Sequence, residues 1–484
     1  MKRVLLYITI LTFAVTSCEG FLSVKPQTQV LAEDLFKQES GYEDALIGCY
    51  IKLNSQNLYG KFLTMSGIDY MAQYYASMAP TSDEYAFKTF DYDNLTVEEA
   101  FKNVYYELYN IILQANDIIE HINSQDGLSA IKNESKRDFI KGEALAIRAF
   151  CHFDLLRIFG QVPQNATQLV SLPYSDKTGT DERPLLTYRK FVEKVGGDMG
   201  QALQLLENDP VRLRGLSDHN DPDDDFMSYR RFRFNYFAVK GLYARYALYT
   251  GKKTEAYDAS MEIINALTDN GQNVVTLAGE DDFTKGHYTL PSETLIALSA
   301  SELESMTTDL ETIFKNGNSS TDPMKFDKSR RDALFQSRNT STNNRYNKLW
   351  GTYSSGTGSI VPYMKKYFQN EVSASDEQKL ADRWQIPLIR LSEMYLIAME
   401  TSTDLTEVNQ MFTKYMLARN EQPSPFSDLQ SAKDEILNEY RREFMAEGQM
   451  FFAYKRTGSA LMLWKNDLVK ESDYVIPIPK SEIK

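Results

Sequence analysis

Residues 136–159 constrain the fold more than any other part of the chain. Apolar side chains such as Leu145 and Phe150 occupy nearly the whole circumference of a helix in this segment. A helix that is apolar on all sides must be covered by other elements. Gly160 and Pro163 follow the segment, and both residue types are common just after the C-terminus of a helix. The segment predicts a helix buried inside a larger helical protein.

Other segments also have helical spacing. Residues 97–122 repeat apolar side chains at the period of a helix. The small residues Ala244, Gly251 and Ala256 match offsets of a tetratricopeptide-type hairpin, in which small side chains let two helices pack closely. The remaining predicted helices are 232–249, 253–267, 386–401, 404–418, 429–447 and 449–456.

Long irregular stretches separate the predicted helices. They are rich in Pro, Gly, Asp and Ser, and they lie at residues 160–188, 208–230, 270–292 and 315–383. Loops of this length in a compact protein usually carry function. We therefore expect a mainly α scaffold decorated by large loops. We expect an N-terminal part at 18–230 and a C-terminal part at 231–484 to pack together as one globular unit.

The N-terminus has the layout of an export signal. A basic start at Lys2 and Arg3 precedes an apolar run that is shorter than the roughly 20 residues needed to span a bilayer. Val15-Thr16-Ser17-Cys18 resembles a bacterial lipobox, whose cysteine takes a thioether-linked diacylglycerol before cleavage. We expect removal of residues 1–17 and lipidation of Cys18, rather than a buried N-terminal helix, because nothing before Cys18 is amphipathic. The lipid would hold the protein on a membrane.

The composition of the chain disfavours some classes of ligand. The chain of 484 residues has a formal net charge of −14, which disfavours nucleic acid because that binding depends on cationic contacts. Cys49 and Cys151 lie in apolar, helix-like surroundings, so we expect buried free thiols rather than a disulfide. The 30 Tyr, 26 Phe and 3 Trp leave room for an exposed aromatic platform, although many Tyr must serve the core.

Motifs for catalysis and cofactor binding are missing from the sequence. The four His form no metal-binding array, and no phosphate-binding glycine loop or nucleophile elbow occurs in the required context. The acidic run Asp218–Asp225 could hold Ca²⁺, but it lacks the EF-hand glycine and distal Glu, which favours a solvated loop. We expect no catalytic residues, no metal and no cofactor. A hydrolase stays an alternative, since paired carboxylates need not be close in sequence.

Four segments follow motifs of one protein family, in the same order along the chain. Residues 21–26 resemble an opening FL-x-x-x-P, and residues 142–163 are very close to E-A-x-x-x-R-A-x-x-x-F-D-L-x-x-x-[FY]-G-x-[VI]-P. Residues 386–400 are similar to P-x-[IL]-R-L-A-E-x-Y-L-I-x-A-E, and residues 475–483 to a closing P-I-P-x-x-E. The chain thus resembles the SusD/RagB-like family of outer-membrane nutrient-binding lipoproteins of Bacteroidetes-type bacteria. Residues 439–458 depart from the family pattern at the positions of an Arg and an Asp-Leu pair.

The resemblance implies a fold and a role. It implies a tetratricopeptide-like helical-hairpin scaffold with a large loop-rich lobe, and a non-enzymatic lipoprotein exposed at the cell surface. Such a protein holds a nutrient, usually a glycan, over a partner SusC-like TonB-dependent transporter. The alternatives are peptide capture, as in RagB-like relatives, and a scaffold that binds only protein partners. The charged residues of the motifs are expected to form buried ion pairs: Glu143, Arg148, Asp154, Arg390, Glu393 and Glu447.

Two aromatic-rich stretches, residues 69–92 and residues 345–363, contain the candidates for the ligand site. Sugar rings stack their apolar faces on flat aromatic side chains, and polar groups at the rim bond to their hydroxyls. The family places its sites in roughly these regions, but its site residues vary, and core packing competes as an explanation for each aromatic. The predicted ligand-binding residues are Tyr70, Tyr74, Tyr75, Asp83, Tyr85, Arg345, Trp350 and Tyr353.

Overall fold

The structure is a computed structural model. It describes residues 34–75, 78–166, 169–179, 181–216, 225–299, 326–336, 338–354, 360–367 and 385–483. The predicted signal segment, Cys18 and nearly all of the acidic run at 218–225 lie outside these ranges.

Most of the described chain is helical. The helices are α1 Glu39–Leu53, α2 Gly67–Met71, α3 Asp83–Thr89, α4 Leu95–Ile122, α5 Gln125–Ala130, α6 Glu134–Phe159, α7 Tyr188–Leu205, α8 Val211–Arg214, α9 Tyr236–Tyr249, α10 Lys253–Ile264, α11 Glu280–Lys285, α12 Lys328–Leu334, α13 Asn344–Lys348, α14 Leu391–Thr401, α15 Leu405–Ala418, α16 Leu429–Glu443, α17 Met450–Thr457 and α18 Glu471–Tyr474.

In the part of the chain that the structure describes, the strands form three small antiparallel sheets of two strands each. They are β1 Leu169–Pro173, β2 Leu185–Thr187, β3 Thr294–Ser299, β4 Trp350–Ser354, β5 Ile360–Met364 and β6 Gln385–Arg390. The pairs are β1 with β2, β3 with β6 and β4 with β5.

The expected central helix is α6, and it is buried without interruption from Gly142 to Phe159. The side chain of Asn133 accepts a hydrogen bond from the backbone N–H of Lys136 and so caps its start. At its end, a Cβ on Gly160 would lie 2.4 Å from the Leu156 carbonyl oxygen, which explains the glycine. Helix α6 packs between α4 and α7, so its apolar circumference is covered as predicted.

Helical hairpins extend the scaffold. Helix α9 packs on α10, α10 on α14, and α14 on both α15 and α16. Ala244 and Ala256 are fully buried where α9 meets α10, in agreement with the small-residue pattern of a tetratricopeptide-like hairpin. The mainly α, tetratricopeptide-like fold is therefore confirmed. Both remaining thiols, Cys49 and Cys151, are buried and free, also as predicted.

One predicted helix is partly wrong. The stretch expected as helix 386–401 begins as strand β6, which pairs with β3, and α14 starts only at Leu391. All six residues of β6 are buried, and a short run that is apolar on both faces cannot be told from a buried helix by its periodicity. Ile386 and Ile389 are β-branched and favour the strand.

The long stretches predicted as loops contain short elements. Helices α12 and α13 and the β4–β5 hairpin lie within residues 315–383, and β1 and β2 lie within 160–188. These elements are too short to show a clear period in the sequence. They are fixed by contacts with the scaffold.

The charged residues of the family motifs form buried ion pairs, as predicted. Arg148 pairs with Asp198 at 2.7 Å, and Arg157 with Asp154 at 2.5 Å. Further pairs join Glu143 to Arg230 and Arg233, Glu393 to Arg245, and Glu447 to Arg390 and Lys366. Each carboxylate is compensated by at least one cation, which is the condition for burying a charge at tolerable cost.

Candidate functional site

The structure brings the two predicted aromatic stretches together around a residue that neither contains, Trp464. The Trp464 ring lies 6.4 Å from the ring of Tyr74 and 6.2 Å from that of Phe326. Phe326 in turn lies 4.8 Å from Trp350, the first residue of β4. The guanidinium of Arg330, on α12, stands 5.0 Å above the Trp464 ring. We call Trp464, Tyr74, Phe326, Trp350 and Arg330 the Trp464 surface.

Exposure differs within the Trp464 surface. Three of its aromatic side chains are buried: Tyr74, Phe326 and Trp350 are 1%, 2% and 7% exposed. Trp464 is only half-buried, and the neighbouring Asn466 is exposed. The arrangement offers one accessible indole beside polar groups.

The backbone around Trp464 is strained. Trp464 has φ 70° and Gln73 has φ 71°, a left-handed conformation that bulky residues rarely adopt. Arg330 donates hydrogen bonds to the carbonyls of Gln73 at 2.8 Å and Tyr74 at 3.3 Å, so one guanidinium holds the turn and also supports the indole. Strain of this kind concentrates at ligand clamps and active sites.

Two lysines add positive charge nearby. Lys88, near the end of α3, donates a hydrogen bond to the Tyr75 carbonyl at 2.9 Å. Burial and, to a smaller extent, the charge of Arg330 lower the pKa of Lys88 to about 8. Lys465 lies 5.3 Å from the centre of the Phe90 ring, which places the end of α3 beside the residue that follows Trp464.

The prediction for Arg345 needs correction. Its side chain is 1% exposed, and its guanidinium pairs with Glu439 at 2.7 Å and Glu443 at 2.9 Å. Burial opposes the charged guanidinium, but the two carboxylates and Tyr415 keep the pKa of Arg345 well above its ordinary value. Arg345 therefore anchors α13, and with it β4 and Trp350, to α16.

The other predicted residues fall into two groups. Tyr70 and Tyr75 are buried, and the Tyr75 hydroxyl donates to the Met65 carbonyl at 2.7 Å. In the first turn of α3, Asp83 is exposed and Tyr85 half-buried. Tyr353 belongs to β4, but its side chain lies outside what the structure describes. Ligand contact by these residues stays a prediction.

Sequence reasoning missed Trp464. The sequence does mark Trp464 as a candidate, because it is one of only three tryptophans and is followed by the polar residues Lys465 and Asn466. It lies near the C-terminus, however, far in sequence from both aromatic stretches, and only the tertiary fold brings them together.

Among the described residues, no cluster of three or more His, Cys, Asp or Glu is arranged to hold a metal ion. No helix in the described ranges combines the length and apolar character needed to cross a bilayer.

Two family profiles match the chain. Residues 20–215 match a SusD-like profile described as "Starch-binding associating with outer membrane", and residues 313–484 match the profile of the SusD family. The two profiles together span most of the chain, which therefore belongs to the SusD family.

Individual proteins are similar to the chain in sequence or in fold. The SusD-like protein P25 of Formosa agariphila is 25% identical over 196 residues, which is 39% of this chain and only 36% of that relative. A SusD superfamily structure from Bacteroides vulgatus aligns with a TM-score of 0.70 at 18% identity, covering 92% of this chain and 96% of that one. Surface glycan-binding protein A from Bacteroides thetaiotaomicron, solved with laminarihexaose, aligns at 0.62 and 16% identity over 92% and 97%.

Proposed function

We propose that this protein is a cell-surface lipoprotein that captures a glycan on the Trp464 surface and passes it to a partner TonB-dependent outer-membrane transporter. It acts by binding, without catalysis of its own. The observation that carries the proposal is the half-buried Trp464, held in a left-handed conformation and backed by Arg330.

The chemistry of the Trp464 surface suits a sugar. The C–H face of a pyranose ring stacks on an indole, while its hydroxyls bond to polar groups at the rim. Asn466 and Asp467 are exposed at that rim, next to the indole in sequence. A shallow site of this kind gives dissociation constants from micromolar to millimolar, roughly −8 to −4 kcal/mol.

Relatives support the ligand class and the location. The matched profile describes starch-binding proteins of the outer membrane, and one aligned structure holds laminarihexaose. The lipid on Cys18 would keep the protein at the membrane, where a channel partner can receive the ligand. Copurification of a large outer-membrane β-barrel with the full-length protein tests the transporter, and recovery of the protein alone from mild detergent would contradict it.

Replacement of Trp464 tests the site. We expect Trp464→Ala to weaken binding to the best ligand of a panel containing laminarin and starch by at least about tenfold, equivalent to about 1.4 kcal/mol. The stacking face is lost, and some loss of stability is expected as well, because the partly buried ring also packs against Tyr74 and Phe326. Isothermal titration calorimetry measures the affinity, and thermal unfolding checks the fold.

Tyr106→Ala is the matched control, because Tyr106 is an aromatic residue with 39% exposure on α4, outside the Trp464 surface. It should bind like the wild type. Equal affinity of Trp464→Ala and the wild type would reject the Trp464 surface. Binding to a peptide panel but to no polysaccharide would replace the glycan with a peptide as ligand.

A further inference from the structure

Three cationic side chains surround the indole of Trp464. The guanidinium of Arg330 stands 5.0 Å above the ring, and Lys465 directly follows Trp464 in the chain. Lys88 and Arg330 donate hydrogen bonds to backbone carbonyls of the same turn, residues 73–75, at 2.9 Å for Lys88 and 2.8 Å for the shorter bond of Arg330. The two cations are therefore neighbours. Positive charge collects here although the chain as a whole has a net charge of −14.

Carboxylates of the protein compensate this charge only weakly. Arg330 has a single ion pair, a contact of 4.0 Å with the partly exposed Asp327. Within the part of the chain that the structure describes, Lys88 and Lys465 form no ion pair at all. Burial outweighs Asp327 and lowers the pKa of Arg330, and burial together with the charge of Arg330 lowers the pKa of Lys88 to about 8. Both directions are those of cations that lack a compensating anion.

These cations are partly desolvated but still accessible. The Arg330 side chain is 15% exposed, and Lys88 and Lys465 are half-buried. Water screens such charges less than it screens fully exposed ones, so an anion beside them gains more. Asp467 is close in sequence, but it is exposed and screened by solvent.

We propose that the glycan bound at the Trp464 surface is acidic and carries a carboxylate or a sulfate group. The indole stacks on a sugar ring, while Lys88 and Lys465, aided by the charge of Arg330, bind the negative group at the edge of the indole. This inference rests on the proposed function, because it specifies the ligand of that same site. A neutral glycan would leave the partly buried positive charge uncompensated.

Matched pairs of oligosaccharides test the charge alone. Trigalacturonate is compared with its fully methyl-esterified form, and a sulfated galactan oligosaccharide with its desulfated form. We expect at least one acidic member to bind the full-length protein about tenfold more tightly than its uncharged partner, because a partly desolvated ion pair contributes more than an exposed one. Isothermal titration calorimetry at low salt measures the affinities. The pair with the larger preference identifies carboxylate or sulfate as the recognised group.

The preference should also depend on salt. Added sodium chloride screens the attraction, so the affinity for the acidic member should fall as the salt concentration rises. The affinity for its uncharged partner should stay nearly constant. This measurement needs no variant and therefore does not depend on the folding of one.

Variants connect the preference to the lysines. Lys88→Met and Lys465→Met keep the aliphatic stem and remove the charge, and each should lower the affinity for the preferred acidic probe about fivefold. Neither should weaken binding of the uncharged partner to a similar extent, and Lys88→Arg should retain the preference. Lys433→Met is the control for net charge, because Lys433 is exposed on α16 and does not belong to the Trp464 surface.

Thermal unfolding checks each variant before titration. Lys88→Met loses the hydrogen bond to the Tyr75 carbonyl and could destabilise the turn. Lys465→Met provides the second test, because within the described residues the Lys465 side chain contacts the Phe90 ring and donates no side-chain hydrogen bond.

Three results would overturn the proposal. They are equal affinities for the acidic and uncharged members of both pairs, an unchanged preference in both lysine-to-methionine variants, and binding of laminarin or starch without binding of either acidic probe. Failure of the proposed function has a different outcome, because Trp464→Ala would then bind every probe like the wild type. If Trp464→Ala weakens acidic and uncharged probes alike and the lysine variants weaken neither, the glycan site stands and only the charge preference is rejected.

Discussion

Glu439 and Glu443 lie one helical turn apart on α16 and accept hydrogen bonds from arginines that come from distant parts of the chain. Glu443 binds Arg390 at 2.7 Å and Arg419 at 2.9 Å, and both glutamates bind Arg345. All five side chains are essentially buried. Because a buried charge is stable only when it is compensated, each residue depends on the others.

The pKa of Glu439 makes this dependence measurable. Burial alone would raise its pKa, but the guanidiniums of Arg345, Arg442 and Arg338 outweigh burial and lower it from 4.5 to about 2. When folding lowers the pKa of a carboxyl, its ionised form stabilises the folded protein. This contribution is complete above the pKa of the unfolded state, and it is lost as the pH falls through the pKa of the folded state. The contribution of Glu439 should therefore decline between pH 4.5 and about 2.

We expect Glu439→Gln to lower the free energy of unfolding by about 3 kcal/mol at pH 7, since one pKa unit corresponds to about 1.4 kcal/mol. The variant should also lose less stability than the wild type between pH 5 and pH 3. Urea unfolding at each pH measures both effects. Glu193→Gln is the control, because the pair of Glu193 with Arg189 is exposed and should contribute at most about 1 kcal/mol. If the free energy of unfolding fell equally with pH in the wild type and in Glu439→Gln, this account would be contradicted.

At the scale of elements, the turn after α16 explains why the helix predicted at 429–447 ends at Glu443. Ala446 and Gly448 have φ 63° and 66°, which a right-handed helix does not allow. The Ala446 N–H donates to the Asp69 carboxylate at 2.6 Å. The turn is thus tied to α2, close in sequence to Tyr74.

Two glycines provide a test of this tertiary constraint. A Cβ on Gly448 would lie 1.8 Å from the Leu63 carbonyl oxygen, whereas a Cβ on Gly200, in α7, would meet nothing within 4 Å. Gly448→Ala should therefore destabilise the protein by several kcal/mol, as backbone must move. Gly200→Ala should stabilise it by about 0.5–1 kcal/mol, because alanine favours a helix interior. Thermal unfolding measures both, and similar melting temperatures for the two variants would contradict this reading.

The elements that could be predicted from sequence are those whose pattern of apolar residues is contained within the element itself. Helices α4 and α6 were expected at 97–122 and 136–159 and occur at Leu95–Ile122 and Glu134–Phe159, because each has a long periodic or wholly apolar run. Strand β6 has the apolar pattern of a buried helix, and its pairing with β3, not its pattern, makes it a strand. Short elements such as α13 are held by Arg345, whose partners are about a hundred residues away.

The candidate site was predictable only in part, for the same reason. Aromatic clustering pointed to the stretches that contain Tyr74 and Trp350, and both residues do belong to the Trp464 surface. Their burial was not predictable, since an aromatic in the core and one in a site have the same local sequence. Trp464 reaches the surface through the turn at 458–470, whose position depends on packing against α3 and α12.

At the scale of the whole molecule, family membership and geometry suggest a binding surface carried by a helical scaffold. The Trp464 surface lies where the C-terminal loop-rich elements meet α2 and α3. This surface does not explain how the protein stays at a membrane. We propose that this role falls to Cys18, which lies outside the described residues.

Replacement of Cys18 tests the anchor. A lipidated cysteine adds about 0.8 kcal/mol of membrane affinity per buried methylene, and two or more acyl chains hold a protein stably. We therefore expect the wild type, expressed in its native type of host, to stay in the membrane fraction after a carbonate wash, which removes proteins held only by charge. Cys18→Ala should move to the soluble fraction while binding the same glycan with unchanged affinity. Membrane retention of Cys18→Ala would show that another element, or the transporter, holds the protein, and protease shaving of intact cells would then show on which side it lies.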